Sequence, residues 1–239
     1  MEFTKDLKVG ELVAADYRTA DVFKRNGLDF CCGGGISIER ACEKKGLSVE
    51  QLMEELAEAV REKSQNDIDF RSWPLDLMVD YIEKTHHRYV RENVKMIAEY
   101  CMKIAEVHGH AATELLAVRD EFLACGEAMT THMMKEEQVL FPFIKDLVNA
   151  QSTGATLPET CFGSVENPIA QMEHEHDAEG ERFRRIAALT DNYNAPEWAC
   201  NTYRIAFEKL REFEADLHRH VHIENNILFP RAIELAKSL

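Results

Sequence analysis

Two stretches of this chain, Leu115 to Phe143 and Tyr203 to Ile227, carry an apolar or seam residue at every third or fourth position without a break. That period lays one stripe along one face of an α-helix, and a strand, whose side chains alternate, cannot use it. The first stripe runs through Leu115, Val118, Phe122, Cys125, Met129, His132, Glu136, Val139 and Phe143. The second runs through Tyr203, Ala206, Leu210, Phe213, Leu217, His220, Glu224 and Ile227. A third pattern carries Leu75, Met78, Ile82, His86, Tyr89, Ile97 and Cys101, and a shorter fourth carries Ile169, Met172, His176, Phe183 and Ile186. The stretches Gln151 to Asn167 and Asp191 to Pro196 separate the later helices, and no run alternates with period two. The expected fold is all-α, an up-down four-helix bundle over residues 74–239.

Residues 1–66 read as a small helical domain in front of the bundle. Asp21 to Arg25 is helical with Gly27 as its stop, and Ile38 to Lys45 is a short helix ended by Gly46. Ser48 caps a helix through Leu52, Leu56 and Val60, with Gln51 placed for a capping box. Cys31-Cys32-Gly33-Gly34-Gly35 reads as a tight connector, Ser64 to Ser72 as a linker, and Pro74 as the entry to the next helix.

The polar residues on the seams carry the chemistry. The phrase His132-x-x-x-Glu136, followed by Phe141-Pro142, recurs 88 residues later as His220-x-x-x-Glu224, followed by Phe229-Pro230. A His and a Glu four apart stand on one helix face, one turn apart. His86 lies 46 residues before His132, and His176 lies 44 before His220. Each half is thus a helix with a His followed by a helix with His-x-x-x-Glu. Two such halves about a pseudo-twofold axis bring four imidazoles and two carboxylates together. A single buried His is most often a satisfied core residue. Two helices repeating the same costly burial point instead to cation ligands. The ligand set is His86, His132, Glu136, His176, His220 and Glu224, with Glu136 and Glu224 as bridges between two ions.

The remaining histidines fall elsewhere. Helical rotation puts His87, His174, His218 and His222 off the seam, while His108 and His110 flank Gly109 near a helix end, and all six are expected to be solvated or to back up a ligand. Pro142 and Pro230 are expected to kink or end their helices, and Met133 and Met134 to fill core. Imidazole suits zinc, copper and iron, and bridging carboxylates suit hard ions, so a dinuclear His/Glu cluster favours iron over manganese or zinc. The cysteines do not show the spacing of a structural zinc site.

Composition narrows the partners. A net charge of −15 over 239 residues argues against nucleic acid and anionic membrane surfaces. No run reaches the roughly 18 apolar residues of a membrane span, and the start Met1-Glu-Phe-Thr-Lys5 lacks a signal pattern. Seven Cys in such a chain read as reduced cytosolic thiols, so the expected location is the cytoplasm. Cys101 and Cys125 fall on seams and read as core. Cys31 and Cys32 stand just before a short helix, whose N-terminus lowers a thiol pKa. Adjacent cysteines bridge each other only with strain. The pair is therefore a candidate to deliver electrons, trap NO or hold a transient iron, against the plain alternative of two small buried thiols.

With those residues set out, the bundle resembles the hemerythrin-like di-iron proteins. They usually carry a second His four residues after the third-helix His. Here that position is Gly180, which implies a more open iron with space for a small molecule. Asp29-Phe-Cys-Cys-Gly-Gly34 with Ala41-Cys42, His132-Met-Met-Lys-Glu136, Glu175-His176-Asp177 and Glu224-Asn-Asn-Ile-Leu-Phe-Pro230 together resemble the Repair of Iron Centres proteins, the YtfE/ScdA family. The resemblance spans nearly the whole chain. It implies two non-haem Fe ions, oxo- and carboxylate-bridged, on the six residues above. It also implies repair of iron–sulfur clusters damaged by nitrosative or oxidative stress, through NO reduction or iron donation. Its partners would be damaged iron–sulfur proteins, NO or O2-derived molecules and an electron donor, with a homodimer left open. Cys31, Cys32 and Glu175 are the candidate redox, proton or iron relay residues. The competing expectations are an O2 or NO sensor or carrier without turnover, and a bundle whose metals are only structural.

Overall fold

A computed structural model describes residues 3–61 and 68–239. Every element among them is helical, apart from an isolated antiparallel bridge between Lys8 and Ser37. The linker expectation at Ser64–Asp67 lies outside the described residues, while Phe70–Ser72 forms a 3-10 turn. By contact density the chain divides into one unit of Met1–Met78 with Val221–Leu239, and a second of Val79–His220.

The first unit begins with four short helices: α1 (Val9–Ala15), α2 (Thr19–Arg25), α3 (Ile38–Lys45) and α4 (Val49–Ala59). Ser37 and Ser48 cap α3 and α4 by accepting the backbone N–H three residues on, from Arg40 and Gln51. Gly27 and Gly46 take the left-handed conformation that closes α2 and α3, as their positions predict. Helix α1 was not expected from the sequence. It is seven residues long, too short for its apolar spacing to stand out. Leu12, Phe23, Ile38 and Leu56 are fully buried in this unit.

Between α2 and α3 the Cys-Cys-Gly loop is tied from several sides. Gly10 N–H donates to Gly34 O at 2.8 Å and Val9 N–H to Ile36 O at 3.0 Å. Asn226 Nδ2 donates to Phe30 O at 3.2 Å and Cys31 O at 3.3 Å. A Cβ on Gly34 would stand 2.4 Å from Phe30 O, so only glycine permits this approach.

The second unit holds most of the bundle helices, while the last, Phe229–Ser238, belongs to the first. α5 (Leu75–Ile82) runs into α6 (Arg88–His108) through a π-helical turn at Glu83–His87. α7 (Glu114–Lys135) runs into α8 (Phe141–Thr153) through a π turn at Glu136–Leu140. α9 (Glu166–Leu189) is uninterrupted, and α10 (Asn201–Ile223) passes through a π turn at Glu224–Leu228 into α11 (Phe229–Ser238). Phe213 of α10 gathers the core: Phe122 of α7 meets it edge-on at 5.3 Å between centroids, Phe183 of α9 stacks at 5.8 Å, and Tyr89 of α6 tilts at 6.0 Å. Four helices therefore converge on one buried ring, as a four-helix bundle requires.

The π turns correct the sequence expectation of stripes without a break. At each, a backbone N–H reaches five residues back: Arg88 to Glu83 O, Phe141 to Glu136 O, Phe229 to Glu224 O. The extra residue rotates everything that follows. Val139, expected inside, is 43 % exposed, while Leu140, Phe141 and Ile144 are buried. Pro142 and Pro230 neither end nor break their helices. Each sits in the first turn after the wide turn, where its missing N–H and bulky ring are accommodated. Met133 is buried as expected, but Met134 is 49 % exposed.

Candidate metal centre

Helices α7, α9 and α10 and the π turns at Glu83–His87 and Glu136–Leu140 bring a set of titratable side chains into the interior of the bundle unit. His87, Glu136 and His220 each offer one ligand atom within 4.8 Å of the others. His132, Glu136 and His176 do the same, so Glu136 belongs to both groups. All five residues are buried. Glu136 Oε2 lies 3.2 Å from His87 Nε2 and 3.3 Å from His132 Nε2, so one carboxylate oxygen reaches a nitrogen of each group. His132 Nε2 and His176 Nε2 are 3.0 Å apart. Two nitrogens held about 2.1 Å from one ion at a right angle have that separation. Glu224, fully buried, stands one turn beyond His220 along the same continuous helix.

Outer carboxylates set the imidazole tautomers. His132 Nδ1 lies 3.0 Å from Glu175 Oε2, and His87 Nδ1 lies 2.7 Å from Glu137 Oε1. His86 Nδ1 lies 2.9 Å from Asp216 Oδ1. A carboxylate accepting from Nδ1–H leaves Nε2 with its lone pair free to bind a metal and raises its basicity. Burial pushes the Glu175 carboxyl up, but hydrogen bonds from Lys135, Gln171 and His132 outweigh it and hold the group at about 2. Burial likewise works against Glu137, where Arg91 and His87 prevail and lower it. Both carboxylates are therefore ionised at neutral pH.

The structure brings together His132, Glu136, His176 and His220 of the sequence-derived set. It also differs from the sequence expectation at one position. His87, expected to be solvated or supporting, is fully buried and offers a nitrogen to one of these groups, whereas His86 is in neither. The cause is the π turn at Glu83–His87, which turns two consecutive residues inward where a 3.6-residue period admits one. His86 is nonetheless buried: it stacks on His220 at 5.4 Å, and its Nε2 has no hydrogen-bond partner. The adjacent His-His pair was the available sequence signal. His222, also expected at the surface, is buried in the first unit, against Tyr17 and Phe30. His174 and His110 are exposed, as expected.

Burial alone would make this constellation costly. Imidazole nitrogens oriented by carboxylates, with a shared carboxylate between them, form the donor set that transition-metal ions favour, and the spacings fit it. A cavity of about 460 Å³ opens beside it, lined by His132, Lys135, Glu175, His176 and Glu179 among others. Gly180 is buried on α9, one turn past His176, and contributes no side chain there.

The cysteine pair lies in the first unit. Cys31 is buried and Cys32 half-buried. The expected lowering of the thiol pKa is reversed. A shared hydrogen bond with Cys32, burial and the Asp29 carboxylate push the Cys31 thiol well above its ordinary range. Cys101 and Cys125 are fully buried core, as expected, while Cys161 and Cys200 are exposed. None of the helices among the described residues is long and apolar enough to cross a membrane.

Residues 78–232 match the family described as the hemerythrin HHE cation binding domain, and residues 5–60 match ScdA_N, described as a domain of unknown function (DUF542). Curated relatives include two proteins named iron-sulfur cluster repair protein YtfE. One is from Yersinia pestis (strain Pestoides F) and the other from Yersinia pseudotuberculosis serotype O:1b (strain IP 31758). Each is 35 % identical over 229 residues, covering 96 % of this chain and 97 % of the relative.

Proposed function

Since this chain belongs to the YtfE family of hemerythrin-domain proteins, we propose that it carries two non-haem iron ions in its bundle and restores damaged iron–sulfur clusters. His132 and His176 would hold one ion, His87 and His220 the other, and Glu136 and Glu224 would supply the carboxylates. The observation that carries this reading is the pair of buried His/Glu groups sharing Glu136. When bound, such a pair supplies one-electron chemistry toward NO and O2-derived molecules, and a store of ferrous ions as cargo.

The chain's own residues do the rest. Glu175 and Glu137 hold His132 and His87 in the tautomer that offers Nε2. Lys135 and Gln171 fix Glu175, and Arg91 fixes Glu137. The cavity at His132 and His176 admits a small molecule from solvent, and the carboxylates of Glu175 and Glu179 on its wall suit passage of a cation. Phe141, stacked on His87 at 5.6 Å, keeps water from the other side. The partners are damaged iron–sulfur proteins and an electron donor in the cytoplasm. Cys31 and Cys32 are candidates to pass electrons or iron.

The test is direct. The purified chain reconstituted anaerobically with ferrous salt binds two irons, and Glu136→Ala binds fewer than one. The diferrous protein reacts with NO or rebuilds the cluster of an apo-ferredoxin. A chain that binds no iron, or a diferrous form inert in both assays, overturns the reading.

A further inference from the structure

We propose that Asp29, Cys31 and Cys32 form a second metal site, one that takes a single thiophilic divalent cation such as Fe2+ or Zn2+. Each of the three offers one ligand atom, all within 4.8 Å of one another. The two Sγ atoms are 3.8 Å apart, and Cys31 Sγ is 3.3 Å from Asp29 Oδ1. Two thiolates about 2.3 Å from one tetrahedral ion stand about 3.8 Å apart, and a carboxylate oxygen about 2.0 Å from that ion stands about 3.5 Å from each sulfur. The thiols bridge these spacings by hydrogen bonds, and the same spacings would suit ligands around one ion; they are far from a disulfide.

The loop holds this arrangement before any ion arrives. Asp29 Oδ1 accepts the backbone N–H of Cys31 and of Cys32, each at 3.0 Å, which fixes the carboxylate beside the sulfurs. Asn226 grips the carbonyls of Phe30 and Cys31, and is itself 3.1 Å from Nδ1 of the buried His222. The Gly34–Gly10 approach closes the other end. A preset trio loses little freedom on binding. Three protein ligands leave the fourth position of a tetrahedral ion open. Half-exposed Cys32 puts that position within reach of solvent or an acceptor thiol. On binding, each thiol gives its proton to solvent and its sulfur to the ion, with no change of oxidation state.

This site shares no residue with the bundle groups, and its signature is separate from theirs. The whole chain, reduced and metal-free, is titrated with Co2+. Thiolate ligation gives a near-ultraviolet sulfur-to-cobalt charge-transfer band that imidazole and carboxylate ligands cannot give. The expected result is a band that accounts for one of the Co2+ ions bound per chain, the bundle groups taking theirs without it. It disappears in Cys31→Ser and in Cys32→Ser, with the helical circular dichroism retained. Asp29→Asn keeps an oxygen for the two N–H groups but loses the charge, and weakens binding about tenfold or more. In the unsubstituted chain, Zn2+ protects Cys32 from alkylation. The proposal is overturned by any of three results: no band, a band that accounts for only half an ion per chain, or alkylation of Cys32 at the same rate with and without Zn2+.

Discussion

Glu175→Ala isolates the contribution of a residue that touches no ion. Its carboxylate lies 3.0 Å from His132 Nδ1, also takes hydrogen bonds from Lys135 and Gln171, and is ionised down to a pH of about 2. An ionised acceptor fixes which imidazole nitrogen carries the proton and makes the other a stronger donor to a metal. Removal leaves His132 free to rotate and to change tautomer. Losses of such supporting partners lower metal affinity about 10–100-fold, or about 1.4–2.7 kcal/mol. The ion pair with Lys135 adds little, because that side chain is 42 % exposed and such pairs contribute under about 1 kcal/mol. The effect therefore falls on the ion at His132 and His176, and not on the fold. Chelator competition, followed by iron count, reads it. One of the two irons leaves at about 10–100-fold lower chelator, while the ion at His87 and His220 keeps its affinity. Glu175→Gln, which retains an oxygen acceptor, falls between. Equal loss of both irons, or no loss of either, refutes the argument.

Three further outcomes follow from the geometry. His87→Ala is expected to lose one iron per chain and His86→Ala to keep both; the reverse iron counts would restore the sequence-derived assignment. Phe213→Ala removes the ring on which Tyr89, Phe122 and Phe183 converge, at a cost of about 3–5 kcal/mol. For a chain of this size that lowers Tm by about 6–20 °C, so a shift under about 3 °C contradicts the central role of Phe213. In metal-free protein the Glu175 carboxyl titrates at about 2 when folded, against 4.5 as its ordinary value. Because the folded value is depressed, its stabilisation is complete above about 4.5 and is lost as pH falls toward 2. That loss is at most about 3 kcal/mol. Denaturant melts across this window should show a weaker pH dependence for Glu175→Gln than for the unsubstituted chain.

Four helices and most of the centre were legible in the sequence because both depend on a 3.6-residue period. Phe122, Phe183, Phe213, His132, His176 and His220 all fall in phase and all are buried. The failures cluster where that period is broken. The 3.6-residue period puts His87 off the seam and Val139 on it, but each lies within a π turn, where one extra residue rotates the stripe by about a full position. The trace in the sequence was the Phe-Pro step five residues after each Glu, a proline inside an otherwise unbroken stripe. Cys31 failed for another reason. A helix start favours the thiolate, but the hydrogen bond with Cys32, burial and the neighbouring Asp29 carboxylate act in the opposite sense and prevail. Neither could be judged before the loop was folded.

The wide turns have a consequence for how the empty and loaded protein differ. Two of them begin at Glu136 and Glu224, and the third contains His87. At the first two, a proline deletes a backbone donor just beyond the carboxylate, so the ladder there is a rung short. Backbone amides in these turns should exchange with deuterated solvent sooner than those in the flanking helices, and slow down once iron fills the centre. The cation would then act as the missing crosspiece, and the protein would be least secure where it grips its cargo.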